Sequence, residues 1–454
     1  MPTILLTTNT DPGLPAISFD GHKIAVAVNG SVQILGADTN ERGILLIDTT
    51  SGTYQHTEGS VHLPTNPSLS SDGATVLFQS ADLFLASGAL LTTPLSKALY
   101  ATHIGDTQPG VANGFGDHYI SIDSILAGAV LSGNGRFAAL YGIEIANGIL
   151  PAIFKIDLLN HTYATVFDFP YEAGTSYLGS SPALSNDGRF VAFAANQRGR
   201  LDDPVRLDVY ERDTSTGALV TLNTEPDGRV PARTAFDPTG ISSDGRYVAF
   251  HGYGLTAKGE LDYGAGHVYV KDTRTGALID AATSASGTPV THPELIGLSD
   301  NGRYVAFTTF DGIGPAPHDY SKSYVYVKDL QTGGIAAFAV DDWITHAALS
   351  GDGQTLAAVT QNGTQYEVVT ANLSAFMTVS SNDDIAGTAN GDTLIGYLGD
   401  DRYIVNHSKD VVVEYAEGGT DTVVASVDYA LPDNVENLAA AGTTALALGG
   451  NALA

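Results

Sequence analysis

The stretch Leu184-Ser-Asn-Asp-Gly-Arg-Phe-Val-Ala-Phe193 decides the fold, because close copies of it recur along the chain. Every copy has the form Leu/Ile-Ser-x-Asp/Asn-Gly followed by an apolar run. The seven copies begin at Ile17, Leu69, Leu131, Leu184, Ile241, Leu298 and Leu349. Their Asp-Gly or Asn-Gly pairs are separated by 52, 62, 53, 57, 57 and 51 residues. Both residue types tolerate the positive φ of a tight turn, so each copy predicts a β-hairpin.

A second phrase follows most of the hairpins and predicts a further strand that ends in a turn. It is found at Leu45–Gly52, Val209–Gly217, Val268–Gly276 and Val325–Gly333. With the β-rich stretch after it, each period of about 50 residues holds four strands, which is typical of a propeller blade. The pattern therefore predicts an all-β chain with a seven-bladed β-propeller over residues 1–376.

The hairpin phrases resemble the WD-like repeats of TolB-type propellers, in which a Ser-Pro-Asp-Gly turn opens the second strand of each blade. Here the proline is replaced in every copy, whereas the glycine is always present. The resemblance covers roughly residues 1 to 375 and implies a fold but no particular function.

Two segments are candidates for the strand that closes the ring. The N-terminal segment from Thr3 to Gly13 parallels Ala218–Gly228, which is expected to be an outer strand. It would then complete the seventh blade and cover its edge. The segment Ala375-Phe-Met-Thr-Val379 is the alternative, and we favour the N-terminal closure.

The residues after about Ser380 change in character and fit degenerate nonapeptides of the form G-G-x-G-x-D-x-U-x. The candidate ligand and turn positions are Asp383, Gly387, Asp392, Gly396 and Asp401. Aspartate and turn carbonyl oxygens suit Ca²⁺, and the apolar eighth position points inward. Ordinary surface turns are the alternative explanation.

The flank of these nonapeptides resembles RTX (repeat-in-toxin) proteins at Asp410–Glu414, Gly419–Val424 and Asp433–Leu438. The resemblance implies a short parallel β-roll over residues 377–454 that binds one or two Ca²⁺ ions. Same-side ligands would lie eighteen residues apart, as Asp383 and Asp401 do, while Asp392 has no convincing partner and Asp410 lies outside the frame. It also implies export by type I secretion machinery to the surface or exterior of a Gram-negative bacterium. We expect the chain to be a fragment of a longer protein.

Composition excludes several classes of protein. The 21 basic and 50 acidic residues sum to a net charge of −29, which disfavours nucleic acid and anionic lipid as partners. The absence of cysteine excludes disulfides, thiolate metal sites and thiol nucleophiles. No apolar run is long enough to predict a transmembrane helix. The sequence also lacks the serine-hydrolase, zincin and P-loop motifs.

Candidate ligand-contacting residues fall in the loops on the rim opposite the Asp/Asn-Gly turns. For catalysis the weak candidates are His292, His346, Arg233 and Tyr177, a set suited to proton abstraction from an acidic sugar. Trp343, the only tryptophan, and Tyr320 are candidates for ligand binding. The alternative, which we favour, is that these are polar loop residues that satisfy local hydrogen bonds and, for Trp343, a packing residue.

These observations lead to two functional hypotheses. The first is a secreted calcium-binding propeller that acts as a binding or adhesion module for an extracellular protein or polysaccharide. The second is an extracellular polysaccharide lyase or hydrolase with its site at the channel mouth. We favour the first, because an acidic surface should repel uronic substrates. A propeller with no ligand of its own, as one module of a large adhesin, is a third possibility.

Overall fold

The computed structural model describes residues 3–34, 36–56, 65–80, 98–103, 124–144, 150–160, 162–168, 181–196, 207–224, 233–255, 261–283, 289–309, 311, 313, 322–331, 334–373, 384–386, 393–395, 400–413, 419–432, 434–442 and 445–451. All the secondary-structure elements in these residues are β-strands. The chain divides into two compact units, Met1–Leu373 and Ser374–Ala454.

The described residues of the first unit form 27 strands. They are β1 (Thr3–Thr8), β2 (Ala16–Ile17), β3 (Lys23–Ile34), β4 (Ala37–Asp48), β5 (Thr53–His56), β6 (Thr65–Leu69), β7 (Thr75–Ser80), β8 (Ala98–His103), β9 (Ser124–Leu131), β10 (Phe137–Glu144), β11 (Leu150–Asp157), β12 (Thr162–Asp168), β13 (Ala183–Leu184), β14 (Phe190–Asn196), β15 (Leu207–Asp213), β16 (Leu219–Thr221), β17 (Arg233–Ile241), β18 (Tyr247–Leu255), β19 (Leu261–Asp272), β20 (Leu278–Asp280), β21 (Glu294–Leu298), β22 (Tyr304–Thr308), β23 (Ser323–Asp329), β24 (Ile335–Val340), β25 (Trp343–Leu349), β26 (Thr355–Asn362) and β27 (Gln365–Asn372).

These strands form antiparallel sheets, as a β-propeller requires. Four sheets have the sequential orders β9–β12, β13–β16, β17–β20 and β21–β24, and β6–β8 form a three-stranded sheet. The remaining eight strands form one sheet in which β25, β26, β27 and β1 adjoin β3, β4 and β5, with β2 paired to β3. The β-propeller predicted from the repeats is confirmed.

The N-terminal strand joins the end of the propeller to its beginning. β1 pairs with β27, with Thr3 opposite Thr370, and its other edge pairs with β3, with Leu6 opposite Ile34. Leu6 is fully buried in the cluster between these strands. The predicted N-terminal closure is confirmed, and the alternative strand at Ala375–Val379 lies outside the described residues.

All seven hairpin turns share one hydrogen-bond pattern. The serine hydroxyl donates to Oδ1 of the Asp or Asn over 2.5–2.8 Å, and the backbone N–H two residues after that side chain donates to the same atom over 2.8–3.0 Å. The turn glycines have φ between 64° and 75°. Because only one carbonyl-type oxygen is used, Asp and Asn are interchangeable here.

The seven turns are also linked to one another in a closed circuit of backbone hydrogen bonds. The bonds run from Phe19 N to Ser71 O, Ser71 N to Gly133 O, Asn134 N to Asn186 O, Asn186 N to Ser243 O, Ser243 N to Asp300 O, Asp300 N to Gly351 O, and Asp352 N to Phe19 O, over 2.6–3.2 Å. The last bond returns to the first turn. We call this end of the propeller the turn rim.

The second strand of each hairpin is apolar without alternation, because both of its faces are covered. Val191, Ala192 and Phe193, for example, are fully buried, and alternate residues belong to different clusters. The arginine after the turn glycine instead pairs with an aspartate at the end of the third strand. These pairs are Arg136–Asp157, Arg189–Asp213, Arg246–Asp272 and Arg303–Asp329, at 2.7–2.9 Å. Their role is structural, as the repeat register predicts.

The second unit is built from short parallel strands. They are β28 (Asp384–Ala386), β29 (Thr393–Ile395), β30 (Arg402–Val405), β31 (Val411–Val413), β32 (Thr422–Ala425), β33 (Tyr429–Ala430), β34 (Asn437–Ala440) and β35 (Leu448–Gly449). Strands β28, β30, β32 and β34 form one parallel sheet, while β29 pairs with β31 and β33 with β35. Apolar residues such as Leu394, Tyr403, Val412 and Val423 form the core. We call this unit the roll.

Candidate functional site

The rim opposite the turns is where the innermost strand of each propeller sheet begins. Arg233 begins β17, Glu294 begins β21 and Trp343 begins β25. Each of these strands runs toward an Asp/Asn-Gly turn, so its first residue lies at the far rim. We call this the strand-start rim.

Trp343 is the most prominent side chain there, because 62% of its surface is exposed. A β-bulge lies between Ile344 and His346. It places Trp343 opposite Gln361 and His346 opposite Val359, two residues that share one face of β26. Trp343 and His346 therefore project from the same face, although an offset of three in a regular strand would separate them.

His346 contacts an acidic residue that the N-terminal strand brings to this rim. Its Nε2 lies 3.6 Å from Oδ2 of Asp11, and Oδ1 of Asp11 accepts the N–H of Gly13 at 2.8 Å. His346 thus lies within β25, whereas the sequence analysis placed it in a loop of this rim. Asp11 was missed, because its contact depends on the ring closure.

A second charged pair flanks Trp343. Lys322 Nζ lies 2.7 Å from Oδ1 of Asp341, whose side chain is largely exposed. Burial raises the pKa of Glu367 on β27, and Asp342 raises it further. The surroundings of Trp343 thus combine one lysine with several carboxylates. This favours a neutral or cationic group over an anionic one as a ligand.

His292 lies before β21 in a strained backbone conformation, with a φ of 47°. Its segment is held by Asp311, which accepts the N–H of Thr291 at 2.5 Å and its hydroxyl at 3.0 Å. Burial raises the pKa of the nearby Glu294, and the charge of His292 opposes this shift. Among the described residues, His292 therefore interacts with Glu294, and His346 interacts with Asp11.

The remaining predicted residues of this rim are only partly described. Arg233 is placed by its backbone at the start of β17, opposite Tyr253. Tyr177 and Tyr320 lie outside the described residues. The roles of His292, His346, Arg233 and Tyr177 in catalysis, and of Trp343 and Tyr320 in ligand binding, stay predictions.

In the roll, an acidic residue stands directly before each strand of the four-stranded sheet. The registers pair Asp384 with Arg402, Arg402 with Thr422, and Thr422 with Asn437. The preceding residues, which we call the carboxylate column, are Asp383, Asp401, Asp421 and Glu436. The spacing of eighteen between Asp383 and Asp401 thus matches the strand register, although Asp383 itself lies outside the described residues.

The column is held together by hydrogen bonds between successive coils. Asp401 N donates to Oδ1 of Asp421 at 2.8 Å, and Asp421 N donates to Oε2 of Glu436 at 2.8 Å. Asp401 and Asp421 are buried, and Oδ2 of Asp421 has no hydrogen-bond partner among the described residues. Burial raises the pKa of Asp421, and Glu436 and Asp400 raise it further.

The opposite side of the roll requires one correction to the sequence analysis. Thr393 pairs with Val411, so Asp392 and Asp410, eighteen residues apart, stand at equivalent positions before β29 and β31. Asp410 is therefore within the repeat frame. It accepts the N–H groups of Asn406 and His407 at 3.0 and 2.9 Å. Of the predicted metal positions, Gly387, Asp392 and Gly396 lie outside the described residues, as Asp383 does.

Two features are absent from the described residues. No group of three or more His, Asp and Glu side chains has an arrangement that could hold a metal ion. In the same part of the chain, no helix has the length and apolar character needed to cross a membrane.

Comparison with solved structures identifies β-propellers. An oligogalacturonate lyase from Vibrio parahaemolyticus matches with a TM-score of 0.53 and 12% identity, over 82% of this chain and 92% of that one. An oligogalacturonate lyase in complex with manganese matches with the same TM-score and identity, over 82% and 96%. TolB from Acinetobacter baumannii matches with a TM-score of 0.38 and 16% identity, over 80% and 78%. At these identities the likeness shows the fold alone.

No family model matches the chain. No curated protein matches it either.

Proposed function

We propose that the chain is a secreted, calcium-binding, seven-bladed propeller that binds an extracellular protein or glycan through the strand-start rim. The exposure of Trp343 at the start of β25 carries this proposal. A tryptophan ring offers a large rigid face for stacking on a sugar ring or an apolar side chain. The seven hairpins and the closed circuit of their turns support one blade per hairpin.

The groups around Trp343 support binding of a polar ligand. His346 lies three residues further along β25 and pairs with Asp11, and Lys322 with Asp341 supplies a further ion pair. Such a mixture of an aromatic face and hydrogen-bonding groups is typical of sites that recognise sugars or polar protein surfaces.

Because Trp343 is the only tryptophan, its fluorescence reports the proposed site directly. The test is titration of the full chain with a panel of neutral, acidic and amino-sugar polysaccharides under selective tryptophan excitation. We expect saturable quenching or a blue shift with at least one neutral or amino-sugar polymer. Pull-down of the same polymer should be lost in W343A. It should be retained in L159A, which alters an exposed apolar residue in the turn between β11 and β12. Equal binding by both variants would remove Trp343 from the proposal.

The alternative is an extracellular polysaccharide lyase or hydrolase, and one observation favours it. His346 has a carboxylate partner in Asp11 and shares a strand face with Trp343, so a base would lie near a bound sugar. A lyase should produce absorbance from unsaturated sugars on acidic polysaccharides, and H346A should abolish it. No absorbance from the unaltered chain on any acidic substrate would exclude lyase activity.

For calcium, the carboxylate column supplies donors of the required kind. Asp401 and Asp421 are buried, and the second oxygen of Asp421 is unpaired among the described residues. With Asp383 they would hold Ca²⁺, which would neutralise the buried charges and stabilise the folded roll. Calcium should therefore raise the midpoint of a roll transition followed by circular dichroism. D401N should weaken this effect, and an unchanged midpoint would contradict it.

Export by type I secretion machinery is the proposed route to the exterior. The acidic, cysteine-free composition and the RTX-like roll support it. Removal of residues 377–454 should abolish export in a Gram-negative host that carries a type I exporter, while the protein accumulates inside the cell. Undiminished export of the shortened chain would contradict the route.

A further inference from the structure

One position of each hairpin repeat faces the axis of the propeller at the turn rim. It directly follows the turn serine and lies on the closed hydrogen-bond circuit. The seven residues are Phe19, Ser71, Gly133, Asn186, Ser243, Asp300 and Gly351. They line a cavity of about 140 Å³, together with the apolar residues two positions before them in every repeat except the sixth. The flanking positions are nearly constant across the repeats, whereas this one ranges from glycine to phenylalanine, so the turn itself does not dictate its identity.

Four oxygen-bearing side chains line this cavity, those of Ser71, Asn186, Ser243 and Asp300. Contacts link three of them, Ser71, Asn186 and Asp300, which come from the second, fourth and sixth repeats. A Cβ atom at Gly133 would overlap both Oδ1 of Asn186 and Oγ of Ser71, so these two atoms lie side by side. Ser71 also donates a hydrogen bond to the carboxylate of Asp300. The second and sixth repeats are not neighbours, and this bond therefore reaches across the circle. Glycines at two of the remaining positions leave the space that the three side chains occupy.

The carboxylate of Asp300 has no basic side chain among the residues that line the cavity. Burial and, to a smaller extent, the carboxylate of Asp352 raise its pKa to about 6, although the hydrogen bond from Ser71 opposes the shift. Asp352 in turn faces Asp20 and His22. The local potential on the axis is thus negative, which excludes anions.

We propose that Ser71, Asn186 and Asp300, the axial cluster, bind one partly hydrated hard cation such as Ca²⁺. A carboxylate, an amide oxygen and a hydroxyl are the hard oxygen donors that Ca²⁺ prefers, and water would complete the shell. On binding, the Ser71 hydroxyl turns away from Asp300 and offers a lone pair to the ion. A single carboxylate gives affinity in the millimolar range, which suits an extracellular module. The ion would connect three repeats that are not neighbours and so stabilise the closed ring.

The test is thermal unfolding of the full chain, followed by tryptophan emission. Trp343 belongs to the propeller, so its signal reports that unit rather than the roll. At about 10 mM Ca²⁺ and neutral pH the midpoint should rise by about 2 °C in the unaltered protein. D300N should lose this rise while its midpoint without calcium stays equal or increases, because the buried charge is gone. The rise should also shrink below pH 6, where protons compete for Asp300.

D72N is the matched control, since it removes the same charge from the turn rim at a position where the third and sixth repeats already carry asparagine. It should keep the full calcium-dependent rise. If D300N does not fold, N186A and S71A provide the same comparison and should each reduce the rise. Absence of a rise in the unaltered protein, or an equal rise in D300N and D72N, would overturn the axial site.

Discussion

In both the propeller and the roll, side-chain oxygens of acidic or amide residues accept structural hydrogen bonds. The bonded residues are neighbours in sequence in the propeller and lie far apart in sequence in the roll. In each propeller turn, an Asp or Asn side chain accepts hydrogen bonds from a serine two residues before it and an N–H two residues after it. In the roll, Asp421 accepts the N–H of Asp401, twenty residues away, and Glu436 accepts that of Asp421, fifteen residues away. The first arrangement defines a turn, whereas the second fastens one coil to the next.

This difference has a structural consequence. The propeller closes on itself through β1, and its local turns need only repeat correctly. The roll stacks parallel coils, so its stability depends on contacts between successive coils. Substitutions that separate local from long-range contacts therefore test the comparison.

The largest expected effect concerns the closing strand. Leu6 is fully buried between β27 and β3, while Ile4 on the same strand is 52% exposed. L6D should reduce the free energy of unfolding of the propeller by about 5 kcal/mol, because an unpaired charge would be buried. I4D should cost far less. Chemical denaturation followed by Trp343 emission measures both, and similar losses would mean that β1 does not close the ring as described.

A smaller loss is expected from the arginine–aspartate pairs of the blades. The side chain of Arg303 is 3% exposed, whereas that of Arg136 is 42% exposed. R303A should destabilise the propeller by about 4 kcal/mol, since it leaves Asp329 without its buried partner. R136A should cost much less, because the exposed charges of this pair stay solvated. An equal loss at both positions would show that burial does not set the strength of these pairs.

The buried carboxyl group of Glu211 should make the free energy of unfolding of the propeller depend on pH. Burial, together with the charges of Asp244 and Asp213, raises its pKa to about 8. The folded state thus holds the proton more tightly than the unfolded state, whose pKa is near 4.5. The protonated Glu211 makes its full contribution to the free energy of unfolding below pH 4.5. This contribution decreases as the pH rises toward 8, and about 3 kcal/mol of it is lost at pH 7.

E211Q removes this titration and tests it directly. The difference in unfolding free energy between E211Q and the unaltered protein should grow in favour of the variant from pH 4 to pH 7. Measurement at several pH values separates this trend from any constant effect of the amide. A difference independent of pH would mean that Glu211 does not carry the raised pKa.

The fold was largely predictable because its decisive contacts are local. Each Leu/Ile-Ser-x-Asp/Asn-Gly phrase contains the donor, the acceptor and the glycine of its own turn, so the hairpins follow from ten residues of sequence. The N-terminal closure was predictable only by its parallel with an internal outer strand, which β1 confirms. The propeller and the parallel pairing of the roll could therefore be inferred before any coordinates.

The candidate sites were less predictable, since they depend on contacts between distant segments. The pairing of Asp11 with His346 requires both the ring closure and the β-bulge in β25, and no residue type in β25 predicts that bulge. The axial cluster combines three repeats, and its members look like ordinary turn residues. In the roll, Asp421 and Glu436 follow the same rule as Asp401, an acidic residue two positions before an apolar residue that packs in the core. This pattern is visible in the sequence, but the unequal lengths of the coils make the register between the strands hard to predict.

The smallest expected effect tests the long-range device itself. D421A should destabilise the roll by about 2 kcal/mol, because the buried N–H of Asp401 loses its acceptor. D428A is the matched control, since the exposed Asp428 accepts the N–H of Ala447 at 2.7 Å on the other side of the roll. Water can replace that acceptor, so D428A should have little effect. Far-UV circular dichroism should show the change in the roll, while the propeller transition reported by Trp343 stays in place. If the two variants lose the same stability, exposure rather than burial governs the coil-to-coil bonds, and the contrast with the local turns of the propeller would fail.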